Sequence, residues 1–305
     1  MWTVNTISLS EKLTFLLAQD LVIAHTAYSP MSDEKPTVYA QNTAMANLLY
    51  QTVGSSKRVL ENLHLSREHP GLKATANNPK MNLGELARLG TRDHAISWAV
   101  FQALWTELMA TSPAPGFEEN FTPRPPVLVT VDGLSHWMKN SNYRSAEFEP
   151  IHAFDLVIIN HFMSLLKPGK AHLPNGGILL YATSTSNCPT IPTFDVALKQ
   201  VEARQSGVDD SSPEFPHPEP YGKTDLRVLD AFSPDTPSTK EGQLELQRLG
   251  GLSRDEARGY MNYFAQSGLL REVVNDETVG EKWSLAGGGV VGELEKLGKR
   301  VRVIA

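Results

Sequence analysis

The chain has 305 residues and a mass of 33.6 kDa, of which 41% are hydrophobic, enough to bury a large core and form one large domain plus a small one. A net charge of -6 and a pI near 5.9 exclude a broad basic face for wrapping nucleic acid, so any contact with RNA must be local. The single cysteine, Cys188, excludes an intrachain disulfide and a cysteine-based zinc cluster, and no apolar run reaches the roughly 20 residues a bilayer-spanning helix needs.

The first twenty residues hold one base, Lys12, against Glu11 and Asp20, the opposite of an Arg-rich transit peptide. Ser8 and Glu11 have capping-box spacing, with Leu9, Leu13, Leu16 and Leu17 at helical intervals, which predicts a short helix ending near Asp20. Leu21 to His25 reads as a strand. That helix-then-strand order belongs in the middle of an α/β fold, and the seven residues MWTVNTI are too short to supply the strand, loop and helix start that should come first. Residues 27–39 read as loop, Thr43 to Tyr50 and Lys57 to Leu65 as helical stretches, and His69 to Lys80 as loop again.

Thr91 or Asp93 caps the next helix, where Ile96, Val100, Leu104 and Leu108 form a stripe widened by Trp98, Phe101 and Trp105. Tryptophans in such a stripe mark core before they mark a base-stacking platform. After Pro123, Pro125 and Pro126 comes Val127 to Val131, uncharged and mostly β-branched, closed by Asp132 and Gly133. It reads as a buried strand of a parallel sheet. An acid at that end sits where open α/β sheets bind ligands, and in P-loop nucleotidases an aspartate there holds the nucleotide's magnesium. The alternative is that Asp132 only caps the turn leaving the strand.

His136, Tyr143 and Arg144 fall in the loop beyond, and a helix is predicted from Ile151 to Leu166, stopped by Pro168 and Gly169. Asn175 to Asn187, NGGILLYATSTSN, gives a second buried strand whose polar tail, Thr183 to Asn187, is expected beside Asp132 on one sheet edge. Residues 188–224 read as an insertion or linker with one helix, Phe194 to Ala203, and Leu226 to Leu229 as the last strand.

A second link, Ser233 to Thr239, leads to a small module. Ser253 and Glu256 form a capping box, Ala257, Tyr260, Met261 and Phe264 the apolar face, and Gly268 the stop. LLREVVN and EKWSL read as a short β-pair before a last helix, Val290 to Leu297, giving a winged-helix outline. Glu272, Asp276, Glu277 and Glu281 surround the wing with acids, so packing against protein is its expected use, except at the basic tail Lys299, Arg300 and Arg302. The domain limits expected are 1–232 and 240–305.

A P-loop needs glycine, four residues, then Gly-Lys and a hydroxyl residue, and no such run occurs in these 305 residues. The nearest, Gly222-Lys223-Thr224, has His217 in the first glycine position and Pro218 and Pro220 within the loop, which removes N–H donors. Gly133 follows Asp132 where many ring-forming ATPases carry a water-positioning glutamate, so hydrolysis is not expected. The nine histidines show no metal-ligand spacing.

VLVTVDGLSHW (residues 127–137), YRS (143–145), PIHAFDL (150–156), LPNGGILLYATSTSN (173–187) and above all residues 249–297, LGGLSRDEARGYMNYFAQSGLLREVVNDETVGEKWSLAGGGVVGELEKL, resemble the fungal form of the death-associated protein three family. The likeness runs from about Leu13 to the end. It implies an α/β P-loop nucleotidase core of the AAA+ kind, here amino-terminally truncated, followed by a small carboxy-terminal helical or winged-helix-like domain. It also implies a structural, non-enzymatic protein of the mitochondrial small ribosomal subunit, whose partners are small-subunit proteins and, at points such as Arg254, Lys299 and Arg300, ribosomal RNA. GTP or GDP with magnesium is the family's ligand. On that mapping Asp132 is the magnesium-side acid and Thr183, Ser184 and Asn187 the strand end facing phosphate, a vestigial site because the first core strand and P-loop have no counterpart in the sequence. The neighbours of that strand are then expected to have unpaired edges. The alternative is an active GTP- or ATP-binding switch.

Overall fold

The computed structural model describes residues 5–9, 23–26, 37–167, 173–183, 188–234 and 244–298, the first two stretches by backbone alone. The chain divides into a larger unit ending at Glu245 and a smaller one starting at Leu246. In order, the larger unit holds β1 (Asn5–Leu9), β2 (Ile23–Thr26), β3 (Thr37–Ala40), α1 (Asn42–Asn62), α2 (Lys73–Asn77), α3 (Leu83–Arg92), α4 (Ser97–Leu108), β4 (Val127–Val131), β5 (Asn140–Arg144), β6 (Pro150–His152), α5 (Val157–Ser164), β7 (Gly177–Tyr181), α6 (Pro192–Gln205) and α7 (Leu226–Ala231). It is a mixed α/β unit.

β4 is the middle strand of a three-stranded parallel sheet, with β1 and β7 paired to it in register from Asn5, Val127 and Gly177 to Leu9, Val131 and Tyr181. The expected helix from Ser8 is therefore corrected: Ser8 and Leu9 lie in a strand, and residues 10–20 fall outside the described residues. A neighbouring strand with open amides and carbonyls outweighs a local cap on a β-branched Thr-Ile pair. β4 is thus paired on both sides, and the edges of the sheet among the described residues fall on β1 and β7.

β7 is not the buried strand its composition predicts. The Tyr181 hydroxyl donates to the Phe162 carbonyl of α5 at 2.6 Å, whereas Ile178 and Leu180, on the opposite face, are 64% and 53% exposed. β4 shows the same alternation, Val127, Val129 and Val131 buried and Leu128 and Thr130 half-buried. One face of the sheet carries the core.

Above that core, α1, α3 and α4 pack on one another through Leu48, Leu49, Leu60, Leu86, Leu104 and Leu108. The two helical stretches expected at 43–65 both form and meet within α1 at a kink, where Ser56 has non-helical φ and ψ. α3 begins with a capping box, Asn82 accepting from the Glu85 N–H at 2.8 Å.

Three expectations fail for one reason, that pairing and burial decide what short apolar runs become. Thr37 to Tyr39, expected as loop, lie in β3, antiparallel to β2. Tyr143 and Arg144 lie in β5, antiparallel to β6, so the helix expected from Ile151 starts at Val157. Leu226–Leu229 is helical, capped by Asp225 accepting from the Arg227 N–H at 3.0 Å, with Val228 and Ala231 buried.

The smaller unit consists of α8 (Arg254–Gln266), α9 (Asp276–Leu285) and α10 (Val291–Gly298) around Ala257, Met261, Phe264, Leu270, Val279, Ala286 and Leu294. The Ser253–Glu256 capping box forms. The expected β-pair does not: EKWSL lies within α9, which Asn275 starts by accepting from the Thr278 N–H at 2.8 Å. Trp283 decides this, because its indole N–H donates to the Leu252 carbonyl at 2.6 Å and so draws the segment into the core as helix. Among the described residues the unit is a helical module without a wing.

The α4 stripe is core, as expected. Trp98 stacks on Phe101, and the His161 ring meets Trp98, Phe101 and Trp105 edge-on at centroid distances of 6.1, 5.2 and 4.9 Å. Burial pushes the His161 imidazole down from 6.5 to about 4. The native state favours the neutral ring, while the unfolded chain takes up its proton near the ordinary value. Stability from this ring is complete above pH 6.5 and is lost as the pH falls toward 4. The total loss expected is about 3 kcal/mol, at about 1.4 kcal/mol per pKa unit. Urea unfolding across this range should show that decline, and His161→Phe should flatten it.

Candidate functional site

The site begins with how β4 is held. Arg124, three residues before the strand, and Glu107, near the end of α4, both have fully buried side chains. Arg124 Nη2 donates to Glu107 Oε2 at 2.7 Å and to the His64 carbonyl at 2.6 Å, and its Nε donates to the Glu107 carbonyl at 2.9 Å. The carboxylate also accepts from the Ser66 N–H at 2.8 Å and lies 2.9 Å from His69 Nε2. Burial pushes the Glu107 carboxyl up, but the bonds from His69 and Ser66 and the Arg124 charge outweigh it, holding it below the usual carboxylate range. β7 hangs from the same helix end, since the Asn175 amide donates to the Leu108 and Ala110 carbonyls at 3.0 and 3.2 Å.

Both strands therefore arrive at the carboxyl edge in fixed register. There the Ala182 N–H donates to Val131 at 2.7 Å and the Leu134 N–H donates to Ala182 at 3.0 Å, which sets Asp132 beside Ala182 and Thr183. Gly133, at φ 73°, takes the left-handed turn that sends Leu134–Trp137 back into the core. Asp132 stays outside. It is exposed, and among the described residues no hydrogen bond or ion pair engages its carboxylate. It does not cap the turn. Thr183 is exposed too, its hydroxyl 3.9 Å from Cys188 Sγ, while Ser184 and Asn187 lie outside the described residues.

Arg254 opens α8 in the smaller unit with its guanidinium 5.1 Å over the Trp283 ring, and Lys299 and Arg300 lie outside the described residues. Gly222 closes a turn onto the Glu219 carbonyl at 3.0 Å and follows no strand, so Gly222-Lys223-Thr224 has no P-loop setting. The described residues hold no cluster able to bind a metal by themselves. One free carboxylate at a strand end fits the metal side of a magnesium nucleotide, where magnesium takes one or two carboxylates and phosphates supply the rest. These residues do not fit the phosphates, for which the sequence offers no glycine-rich cradle. The Glu107–Arg124 pair was not among the candidates read from sequence, although a glutamate between Leu104 and Leu108 of an apolar stripe was its signal.

An α/β unit that presents a solvent-facing aspartate at the tip of a central parallel strand, followed by a small helical unit, defines the class. Sequence comparison supplies the family: the chain belongs to the mitochondrial ribosomal death-associated protein 3 family, which matches residues 13–297. It is 37% identical over 282 residues to the small ribosomal subunit protein mS29 of Neurospora crassa, a match covering 92% of this chain and 54% of that protein. The chain thus spans about half the length of that relative.

Glu107→Gln leaves the Arg124 charge buried without its counter-charge and should lower the unfolding free energy by about 3–5 kcal/mol. Asp132→Asn, at an exposed and unengaged position, should change it by less than about 0.5 kcal/mol. Urea unfolding of the two variants checks the contrast.

Proposed function

We propose that this chain is a structural constituent of the mitochondrial small ribosomal subunit, built on a P-loop-nucleotidase-like core of the AAA+ kind, and that it works in the mitochondrial matrix without turning over a substrate. The observation that carries the reading is family membership along nearly the whole chain, together with a relative named as a small-subunit protein. The reading is supported by a parallel sheet with an acid at the tip of one of its strands, and Asp132 and Thr183 are the portion of a nucleotide site that these residues supply. Its partners are small-subunit proteins, with RNA met at local basic points such as Arg254.

Sedimentation tests this. Tagged protein in a mitochondrial lysate should travel with small subunits through a sucrose gradient, and protein left at the top would overturn the proposal.

A second reading, an active GTP or ATP switch, is favoured by the unengaged carboxylate of Asp132. Calorimetric titration separates the two: the structural reading expects GTP with magnesium to bind this chain more weakly than about 1 mM. Tight binding that Asp132→Ala abolishes would establish the switch.

A further inference from the structure

The β5–β6 hairpin ends in a tip that holds one aromatic side chain away from the protein. Phe148 is the one non-glycine residue at positive φ among the described residues, at 63°, and it is 83% exposed. A bulky L side chain rarely adopts that backbone conformation, and turns that need it ordinarily use glycine, asparagine or aspartate. The surrounding turn keeps it there. The Ser145 N–H donates to the Glu149 carbonyl at 2.9 Å, and the Phe148 N–H donates to the Ser145 carbonyl at 3.0 Å. The Ser145 hydroxyl oxygen accepts from the Glu147 and Glu149 N–H groups, each at 3.2 Å. Beneath the tip, Tyr143 and Ile151 are buried, and the Ser141 hydroxyl donates to the Ile151 carbonyl at 2.8 Å, so the hairpin stands on a fixed base.

An exposed phenylalanine contributes no burial to its own chain, and at this φ it disfavours the folded backbone. The backbone cost stays in a complex, but a partner that covers the ring offsets it, because buried aromatic anchors at interface centres carry a large share of binding energy. The charges beside it indicate which partner. Glu147 and Glu149 flank Phe148 and are exposed, against the single cation Arg144. Two carboxylates repel a phosphate backbone, whereas RNA-binding surfaces offer lysine and arginine to it. They complement a basic protein rim.

We propose that the Phe148 tip is a docking anchor that inserts into an apolar pocket, rimmed by lysine or arginine, on a protein of the small ribosomal subunit. This rests on the structural role proposed above. The ring fills the pocket, and Glu147 and Glu149 pair with its rim.

Three full-chain variants test it in cells whose own copy is deleted, with small subunits separated on a sucrose gradient. Phe148→Gly removes the ring and suits the positive φ, so the purified chain should keep or raise its thermal midpoint while its share in small-subunit fractions falls about tenfold or more. A merely structural phenylalanine would lower the midpoint instead, which would overturn the proposal. Replacing both Glu147 and Glu149 by lysine should also reduce incorporation, whereas an RNA contact would be strengthened by that change. A photo-crosslinking phenylalanine at position 148 should label a lysine- or arginine-bearing peptide of a small-subunit protein. Crosslinks to ribosomal RNA alone, or wild-type incorporation of the glycine variant, would overturn the tip and leave the ribosomal reading standing. An unsubstituted chain absent from small subunits would overturn both.

Discussion

The buried pair of Glu107 and Arg124 is the constraint from which the larger unit takes its order. Two opposite charges removed from water depend on the hydrogen bonds that replace hydration. Here all of them but those of Arg124 Nη1, which is buried without a partner, reach the His64 carbonyl, the Ser66 amide, His69 and the end of α4, and thus gather three segments that are distant in sequence. Arg124 then leads through two prolines into β4, so the strand that carries Asp132 starts from a point that cannot drift. Nonpolar residues of the same volume would fill that space, but they would not fix the direction in which the chain leaves it.

Fixing β4 matters because the sheet is small and one-sided. Parallel sheets ordinarily have both faces covered. This one buries Val127, Val129 and Val131 under helices and leaves Ile178 and Leu180 of β7 in solution. Its register is therefore held by attachments outside the sheet: the Arg124 clamp for β4 and the Asn175 bonds for β7. What they deliver at the carboxyl edge is an exposed carboxylate that nothing among the described residues engages.

Much of this was legible in the sequence where the local signal and the tertiary environment agree. VLVTV followed by Asp-Gly gave β4 and its tip, because an uncharged β-branched run closed by a breaker has few alternatives. Ser253 and Glu256 gave the start of α8 for the same reason. The failures fall where partners far along the chain decide. Nothing near Ser8 signals a strand that exists only by pairing with residues 127–131, and nothing in NSNYR or PIH signals a hairpin until each is set against the other. EKWSL alternates well enough for a strand, and it is the distant Leu252 carbonyl that draws Trp283 into a helix. At the site, Asp132 was readable as a strand-end acid, but its freedom from any capping bond was a fact of geometry. Glu107 looked like one polar residue in an apolar helix, and its meaning depended on an arginine 17 residues away.

The central claim is that a clamped middle strand presents an acid at the edge of an otherwise open sheet. Amide hydrogen exchange on the isolated chain measures this most directly. The amides of Val127–Val131 should be among the slowest in the protein, with those of Gly177–Tyr181 clearly faster, as befits an edge strand. A β4 that exchanges as quickly as β7, or as quickly as the exposed turn at Gly222, would contradict the account.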